Sequence, residues 1–543
     1  MDSDTHFDVA ILGTGLTESL TAAALAKAGL KVAHVDSNEY YGADEACLSC
    51  NELKQCMASA STIEQPRNTS YSSASLRGEL PSPSRDYSIS LSPSIIPSLG
   101  PLISALIQSG VARYGGFKLL ESISMYSGGE FKSVPGSKEE IFKSKELSLM
   151  DKRRLMRFLT FASGDFEGSP ELQGKESMPF FTFLEEVFSL GKQLASSLTY
   201  ALALCKTASD PTLPALQRIK QYLRSAGRYG PSPFLVGQYG GLGELAQGFC
   251  RVCAVSGGTY ILGREISVET KQGSSSEPDG TKNFKLRLSE IPDELTADVI
   301  ISSAQFLPKL GIDSEAGKGD VRTVERHAYC IALVHGSIAR PPTAQSTSST
   351  DENTEEPVET KAEGTDDKDQ TRPVDAALLV FLPGELPSGK ASNPVNVLVN
   401  GEGTLSCPRG KTILYVSTQL PISSSTNSEG EDSPDPESLL CPYLDAVLSH
   451  FHTLSGSQLK ELSSAFYVKS TPSIPPSLPA SLKERKIVLA PPLPDHFAEA
   501  GDVAAVNSEA IFRDVLKCLG REDAESVDVW PALERDDEDE DMM

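Results

Sequence analysis

The chain has 543 residues, 39% of them hydrophobic, and a formal net charge of −25. Such an acidic chain has no basic field for phosphates, which excludes a general nucleic-acid binder, and it argues against loose adhesion to anionic lipid. Ten cysteines are too sparse for a disulfide framework, and no window approaches eighteen consecutive apolar residues, so no membrane span is expected.

The start, MDSDTHFDVAILG, lacks a basic n-region and enters a strand pattern almost at once. Phe7–Leu12 is a short apolar run closed by glycine, the composition of a buried parallel strand. Leu16–Ala28 is an alanine-rich helix ended by Gly29, and Lys31–Asp36 is the next strand. Together they make one βαβ unit. Ser61–Ser84 is dense in Ser, Pro and Asn, and Arg340–Pro373 is acidic with almost no large hydrophobic residue. Neither buries enough surface to offset chain entropy, so both read as disordered insertions into an ordered frame.

Glu146–Phe161 places Leu147, Met150, Leu155, Phe158 and Leu159 on one broad face, with basic residues opposite. Phe180–Leu190, Gln193–Leu204 and Leu213–Ala226 are further amphipathic helices. Strand-like runs return at Gly258–Ile261, Phe284–Leu288, Val299–Ile301, Tyr329–Val334, Ala377–Phe381, Val395–Leu398 and Thr412–Ser417. The reading is an α/β protein. A Rossmann-type sheet domain (1–115, continued at 229–520) carries an inserted helical domain (116–228). An acidic tail follows from about Arg521, in which Val527, Trp530 and Leu533 are candidates to dock; its end, DDEDEDMM, has no prenylation box.

A flavin or nicotinamide loop needs G-x-G-x-x-G/A between strand and helix. Its glycines allow the turn, the approach of the pyrophosphate and tight helix–strand packing. Here the loop reads Gly13-Thr14-Gly15-Leu16-Thr17-Glu18, and Asp36 ends the second strand where a ribose-binding acid belongs. Glu18 opposes close packing by its bulk and opposes an anionic ligand by its charge. Two like charges about 5 Å apart repel by roughly 3 kcal/mol at an effective dielectric of 20. A carboxylate at this helix start suits the helix dipole, so the site reads as self-filled, with no cofactor.

Further strings follow in order: Tyr40-Tyr41-Gly42-Ala43, Arg113-Tyr114-Gly115-Gly116-Phe117-Lys118, Tyr126-Ser127-Gly128-Gly129, Lys132-Ser133-Val134-Pro135 and YGGLGELAQGFCRVCAVSGGTYIL over Tyr239–Leu262. With GTGLTE, this set resembles the superfamily of Rab GDP-dissociation inhibitors and Rab escort proteins, from Phe7 to about Ile266 and more faintly to about Leu519. The resemblance implies a fold similar to flavin monooxygenases that does not depend on a flavin. It implies binding of Rab GTPases in their GDP form by the sheet domain and shelter of their geranylgeranyl lipid by the helical domain. The platform residues it implies are Tyr41, Glu244, Gln247, Arg251, Thr259 and Ile261. Ala43 stands where the family has a second glycine, and Gly240-Gly241 is one glycine longer than the family string. Glu244 and Arg251 lie seven apart, two turns along one face of a helix, and can offer a carboxylate and a guanidinium to a partner. An intramolecular charge pair on a solvated helix is the plainer alternative that the resemblance outweighs.

The stripe Leu147, Met150, Leu155, Phe158 and Leu159 is a candidate wall for the lipid, with ordinary inter-helix core as the alternative. The basic face Lys152, Arg153, Arg154 and Arg157 is a candidate contact for the Rab geranylgeranyltransferase heterodimer, with a solvated face as the alternative. Within the superfamily three features lean toward the escort branch: the segment Phe249-Cys250-Arg251-Val252-Cys253, the extra length in insertions, and the strings Asp502–Val506 and Ala510–Phe512. An escort protein is a non-catalytic accessory component of the transferase, cytoplasmic with transient membrane contact, and a nuclear pool is left open. The alternatives are a dissociation inhibitor that recycles prenylated Rab and, remotely, an FAD-dependent oxidoreductase. The pairs Cys47/Cys50 and Cys250/Cys253 have zinc-like spacing but lack its context, so no metal is expected.

Overall fold

The computed structural model describes residues 5–61, 71–134, 147–270, 284–312, 325–339, 373–421, 435–452, 456, 458–471, 482–521 and 523–531. At its centre the first strand, His6–Leu12, is paired in parallel with Val32–Val35 on one side and Leu295–Ser303 on the other. Thr259–Ile261 adds a parallel edge strand outside Val32–Val35, with Tyr260 opposite His34. Ile487–Ala490 also pairs in parallel with Leu295–Ser303, and Ile266–Thr270 and Phe284–Leu288 extend the sheet as an antiparallel ribbon.

Parallel strands need both faces covered. On one face lies the first helix, Leu16–Lys27, in which every residue from Leu16 to Ala26 is buried. Its alanines let it nest between the helices Leu242–Val255 and Ala500–Cys518, all in one apolar core. Phe284, Leu286, Ile300 and Phe306 fill the other face.

A second sheet of eight strands runs in the order Tyr71–Gly78, Lys460–Thr471, Glu325–His335, Lys411–Gln419, Val395–Asn400, Ala376–Phe381, Ser122–Ser127 and Glu130–Ser133. The apolar run in Glu325–His335 serves two cores through its period of two. Tyr329, Ile331 and Leu333 face the helical group, whereas Ala328, Cys330, Ala332 and Val334 face the helix Pro436–His450.

The helical group comprises Leu149–Ser163, Phe180–Phe188, Lys192–Ser196 and Thr212–Ser225. Ser148 caps the first of these by accepting from the Asp151 backbone N–H. Phe158, Phe180, Phe183 and Phe188 form its buried aromatic centre. Arg218 ties the group to the C-terminal part of the chain: its Nε donates to the Ala203 carbonyl at 2.7 Å, and its Nη1 lies 3.2 Å from Glu499.

Several sequence expectations need correction. The helical domain does not begin near Gly116: Phe117–Leu119, Ser122–Ser127 and Glu130–Ser133 are strands, the latter two in the eight-stranded sheet. Their short apolar–polar alternation is a period-two signal. Tyr71–Gly78, placed by composition in a disordered insertion, is a strand paired with Lys460–Thr471 and pinned by Arg77 on Glu461 at 2.6 Å. The serine-rich composition conceals the buried anchor Tyr71. The expected helix Gln193–Leu204 is instead a short helix that widens into a π-turn over Ser197–Leu202.

Residues 62–70 and 340–372, expected to be disordered, lie outside the described residues. In the tail, Val527 and Trp530 pack against the first core, with the Trp530 ring 5.9 Å from that of Phe249. Leu533 lies outside the described residues. No helix among the described residues is long and apolar enough to cross a membrane.

Candidate functional site

The glycine loop has the expected place between first strand and first helix, but its own side chains fill it. Gly13 sits at φ +104, where only glycine is comfortable. A Cβ on Gly15 would lie 2.6 Å from Glu18 Oε2 and 3.4 Å from Glu45 Oε2. Glu45 Oε2 also accepts the Leu16 backbone N–H at 3.2 Å, a donor that a bound pyrophosphate would use. Asp36 accepts from Thr14 N at 2.8 Å, Thr14 Oγ1 at 2.6 Å, Asn38 N at 2.9 Å and Asn38 Nδ2 at 3.1 Å. The fold's usual dinucleotide therefore does not fit these residues. Its phosphate face is occupied by two carboxyls, and its ribose acid is committed to the loop.

The charge on Glu18 differs from expectation. Burial pushes its carboxyl up to about 8, with Glu45, Asp36 and Asp44 adding repulsion, and burial pushes Glu45 up to about 7. Glu18 is thus held protonated at neutral pH. Full burial costs the charged form more than its backbone hydrogen bond restores. The obstruction is steric, not the like-charge repulsion expected from the sequence.

The six residues expected to form a platform gather beside this loop. Glu244, Gln247 and Arg251 lie along one face of Leu242–Val255, with Gln247 and Arg251 exposed and Glu244 half-buried. Residues 37–39 lead from the second strand into the Tyr41 turn, where the Asn38 carbonyl accepts the Gly263 N–H at 2.9 Å. The turn meets the helix where a Cβ on Gly42 would lie 3.4 Å from the Gly243 Cα. Tyr41 is half-buried, its ring 6.0 Å edge-on from Tyr260, which lies between Thr259 and Ile261 on the edge strand. The edge strand is fixed to the helix by Gly258 N–H donating to the Cys253 carbonyl at 2.9 Å. Glu244 and Arg251 do not pair with each other among the described ion pairs. Instead the Arg251 guanidinium lies over the Tyr114 ring, 4.6 Å from its centroid.

The two departures from the family strings have local explanations. Ala43 adopts φ +45, so the turn keeps a left-handed residue although it lacks the glycine. Gly240 and Gly241 sit at φ +96 and φ +93, and a Cβ on Gly240 would lie 2.5 Å from Cys47 Sγ. Cys250 and Cys253 are buried on the inner side of the helix, and burial raises their thiols to about 12 and about 11. They therefore pack as thiols. Among the described residues no group of His, Cys, Asp or Glu is arranged to hold a metal.

In the helical group, Leu155, Phe158 and Leu159 are buried in core, Leu147 is partly buried against it, and Met150 is 55% exposed. The stripe is thus not one open wall; it reaches a ligand only if the helices part. On the basic face Arg154 lies 4.0 Å from Asp151, and Arg157 lies 3.9 Å from Glu171 with its guanidinium over Phe188. Lys152 is half-buried and Arg153 exposed. Glu45 and Tyr114, which touch Leu16 N–H and Arg251, are neighbours of these candidate residues that sequence reasoning missed. Tyr114 stood within a quoted string without a role, whereas nothing local marks Glu45.

Comparisons with known proteins bear on the family and on the fold. The sequence profile of the family described as GDP dissociation inhibitor matches residues 1–287. The chain is 34% identical over 415 residues to "Rab proteins geranylgeranyltransferase component A" of Saccharomyces cerevisiae, covering 76% of this chain and 61% of that protein. It is 34% identical over 328 residues to the protein of the same description from Drosophila melanogaster, covering 56% of this chain and 61% of that one. The chain thus spans about three fifths of the length of these relatives. Among solved structures it is similar to a Rab GDI from Plasmodium falciparum, with a TM-score of 0.58, 19% identity, and coverage of 94% of this chain and 98% of that one. It is also similar to an oxidoreductase from Methanosarcina mazei, with a TM-score of 0.51, 14% identity, and coverage of 94% and 99%. At such identities the two structures speak for the fold alone.

Proposed function

The chain belongs to the GDP dissociation inhibitor family, and from that premise we propose that it acts as an escort for Rab GTPases. It binds the unprenylated, GDP-bound GTPase and presents it to the geranylgeranyltransferase heterodimer. It then keeps the lipidated product soluble until a membrane takes it. The observation that carries this reading is the 34% identity over 415 residues to a protein described as component A of that transferase. The clustering of Tyr41, Glu244, Gln247, Arg251, Thr259 and Ile261 on one end of the first sheet supports it. In this role the chain is a cytoplasmic, non-catalytic accessory component. The aromatic helical group takes the lipid between its helices, and the Lys152–Arg157 face meets the transferase.

The test is prenyl transfer. The full chain is mixed with unprenylated Rab-GDP, the transferase heterodimer and labelled geranylgeranyl diphosphate. Transfer that requires this chain, and falls when Tyr41 becomes alanine, supports the escort role. Absence of transfer, with extraction of prenylated Rab from membranes intact, refutes it in favour of a recycling dissociation inhibitor.

A further inference from the structure

We propose that the GTPase-binding face extends beyond the six platform residues onto the turn Val111–Arg113 and Tyr114, with Tyr114 acting as a positioning residue for Arg251. The inference rests on the GTPase-binding reading above and names a part of that face which the family strings did not assign.

The turn is built onto the platform helix. Val111 is buried, and a Cβ on Gly248 of the helix would lie 2.8 Å from Val111 Cγ1. Any larger residue at that position would push the turn away. Two backbone bonds close the turn, Tyr114 N–H and Gly115 N–H both donating to the Val111 carbonyl, at 2.9 and 3.2 Å. A Cβ on Gly115 would lie 3.6 Å from Leu245 Cδ2, so the exit of the turn also rests on the helix. Tyr114 is therefore delivered to one place, yet its side chain is 61% exposed. An exposed aromatic on a rigid turn is costly to leave in water and is a common binding anchor.

Its one described ring contact with a cation is Arg251. A guanidinium lying over an aromatic face loses little of its hydrogen-bonding capacity, because its N–H groups point outward from the edge of the plane. Arg251 is exposed and free to sample many rotamers without the ring. With the ring in place, its fork is held where it can receive a carboxylate in a bidentate pair. The partner surface that fits carries a carboxylate for Arg251 next to an apolar or aromatic patch for the rim of Tyr114. We assign this to the GDP-bound GTPase, because the same helix face bears Glu244 and Gln247 on neighbouring turns.

The experiment measures the affinity of the full chain for unprenylated, GDP-loaded Rab by calorimetry. Variants are Tyr114→Ala, Tyr114→Phe, Tyr114→Leu, Arg251→Ala, Glu244→Ala and the double Tyr114→Ala/Arg251→Ala. Arg251→Ala is expected to weaken binding about tenfold or more, and Tyr114→Ala and Tyr114→Leu about fivefold. Tyr114→Phe keeps the ring face and stays within about twofold of wild type. The double variant falls short of the product of the two single effects by at least about threefold, because Tyr114 acts through Arg251. Thermal unfolding of the Tyr114 variants stays at the wild-type midpoint, which separates positioning from a structural role. Wild-type affinity in Tyr114→Ala, Tyr114→Phe as weak as Tyr114→Ala, or full multiplicativity in the double variant overturns the proposal. Wild-type affinity in both Arg251→Ala and Glu244→Ala instead overturns the platform reading on which it rests.

Discussion

Glu18→Gln tests whether the glycine loop is plugged by a protonated carboxyl. In the unfolded chain this carboxyl titrates near 4.5, and burial raises it to about 8 in the folded chain. Between those values the folded chain keeps a proton that the unfolded chain has released. The stability linked to that proton is fully present below 4.5 and is lost as pH rises through 8, at about 1.4 kcal/mol per pH unit. From about pH 6 to about pH 8 the loss is therefore roughly 2 kcal/mol, because the slope flattens as the pH reaches the folded-state value. Glu45, raised to about 7, adds to it in the same direction. Glutamine has the shape of the neutral acid and no such linkage. Urea unfolding at both pH values should show the wild type losing about 3 kcal/mol or more, and Glu18→Gln losing about 2 kcal/mol less than that. A variant whose stability falls as steeply as the wild type's would refute the burial of a protonated Glu18.

Three further outcomes are expected. On the acid side, burial holds His34 and His496 down to about 4, so the folded chain stays neutral there while the unfolded chain gains protons below 6.5. Stability present above 6.5 is lost as pH falls toward 4, by about 3 kcal/mol for each histidine, and His496→Gln should flatten the acid limb of a denaturation series. Gly240→Ala introduces a Cβ at φ +96 and 2.5 Å from Cys47 Sγ, and should cost about 2–4 kcal/mol by thermal or chemical unfolding. Combining it with Cys47→Ala should recover only the steric part. Arg218→Ala leaves Glu499 and Asp210 without their buried cation and should cost about 3–5 kcal/mol, read as early loss of the helical group to protease.

Elements with a strong single period were legible in the sequence. The apolar run of the first strand, the alanine-rich first helix and the amphipathic helices Leu149–Ser163 and Thr212–Ser225 all form near their expected places. Tyr71–Gly78 was hidden because an edge strand needs few apolar residues, and its serines mimic a linker. Ser122–Ser133 was hidden because its partner, Ala376–Phe381, lies some 250 residues away in the chain. The motif strings fall on the helix Leu242–Val255 and the edge strand Thr259–Ile261 that make up the proposed platform. They could not show that Arg251 stacks on Tyr114, or that Glu45 turns its carboxylate onto Leu16 N–H. Both are tertiary contacts between segments that carry no shared local signal.

The filled phosphate loop and the proposed platform are parts of one construction. Thr14, inside the loop, donates from both N–H and hydroxyl to Asp36. Its carbonyl and hydroxyl oxygens both accept the Gly42 N–H, at 3.0 and 3.2 Å. Asp36 in turn holds Asn38 at the start of the same turn. Glu45, at the end of that turn, caps the first helix. The donors and acceptors that a dinucleotide site leaves for its ligand are here used to lock the segment 38–45, which carries Tyr41, against the loop. A bound pyrophosphate would have to displace Glu45 from Leu16 N–H and so loosen the turn next to Tyr41. Cofactor binding and a rigid platform therefore compete for the same backbone groups, and this chain's hydrogen bonds favour the platform.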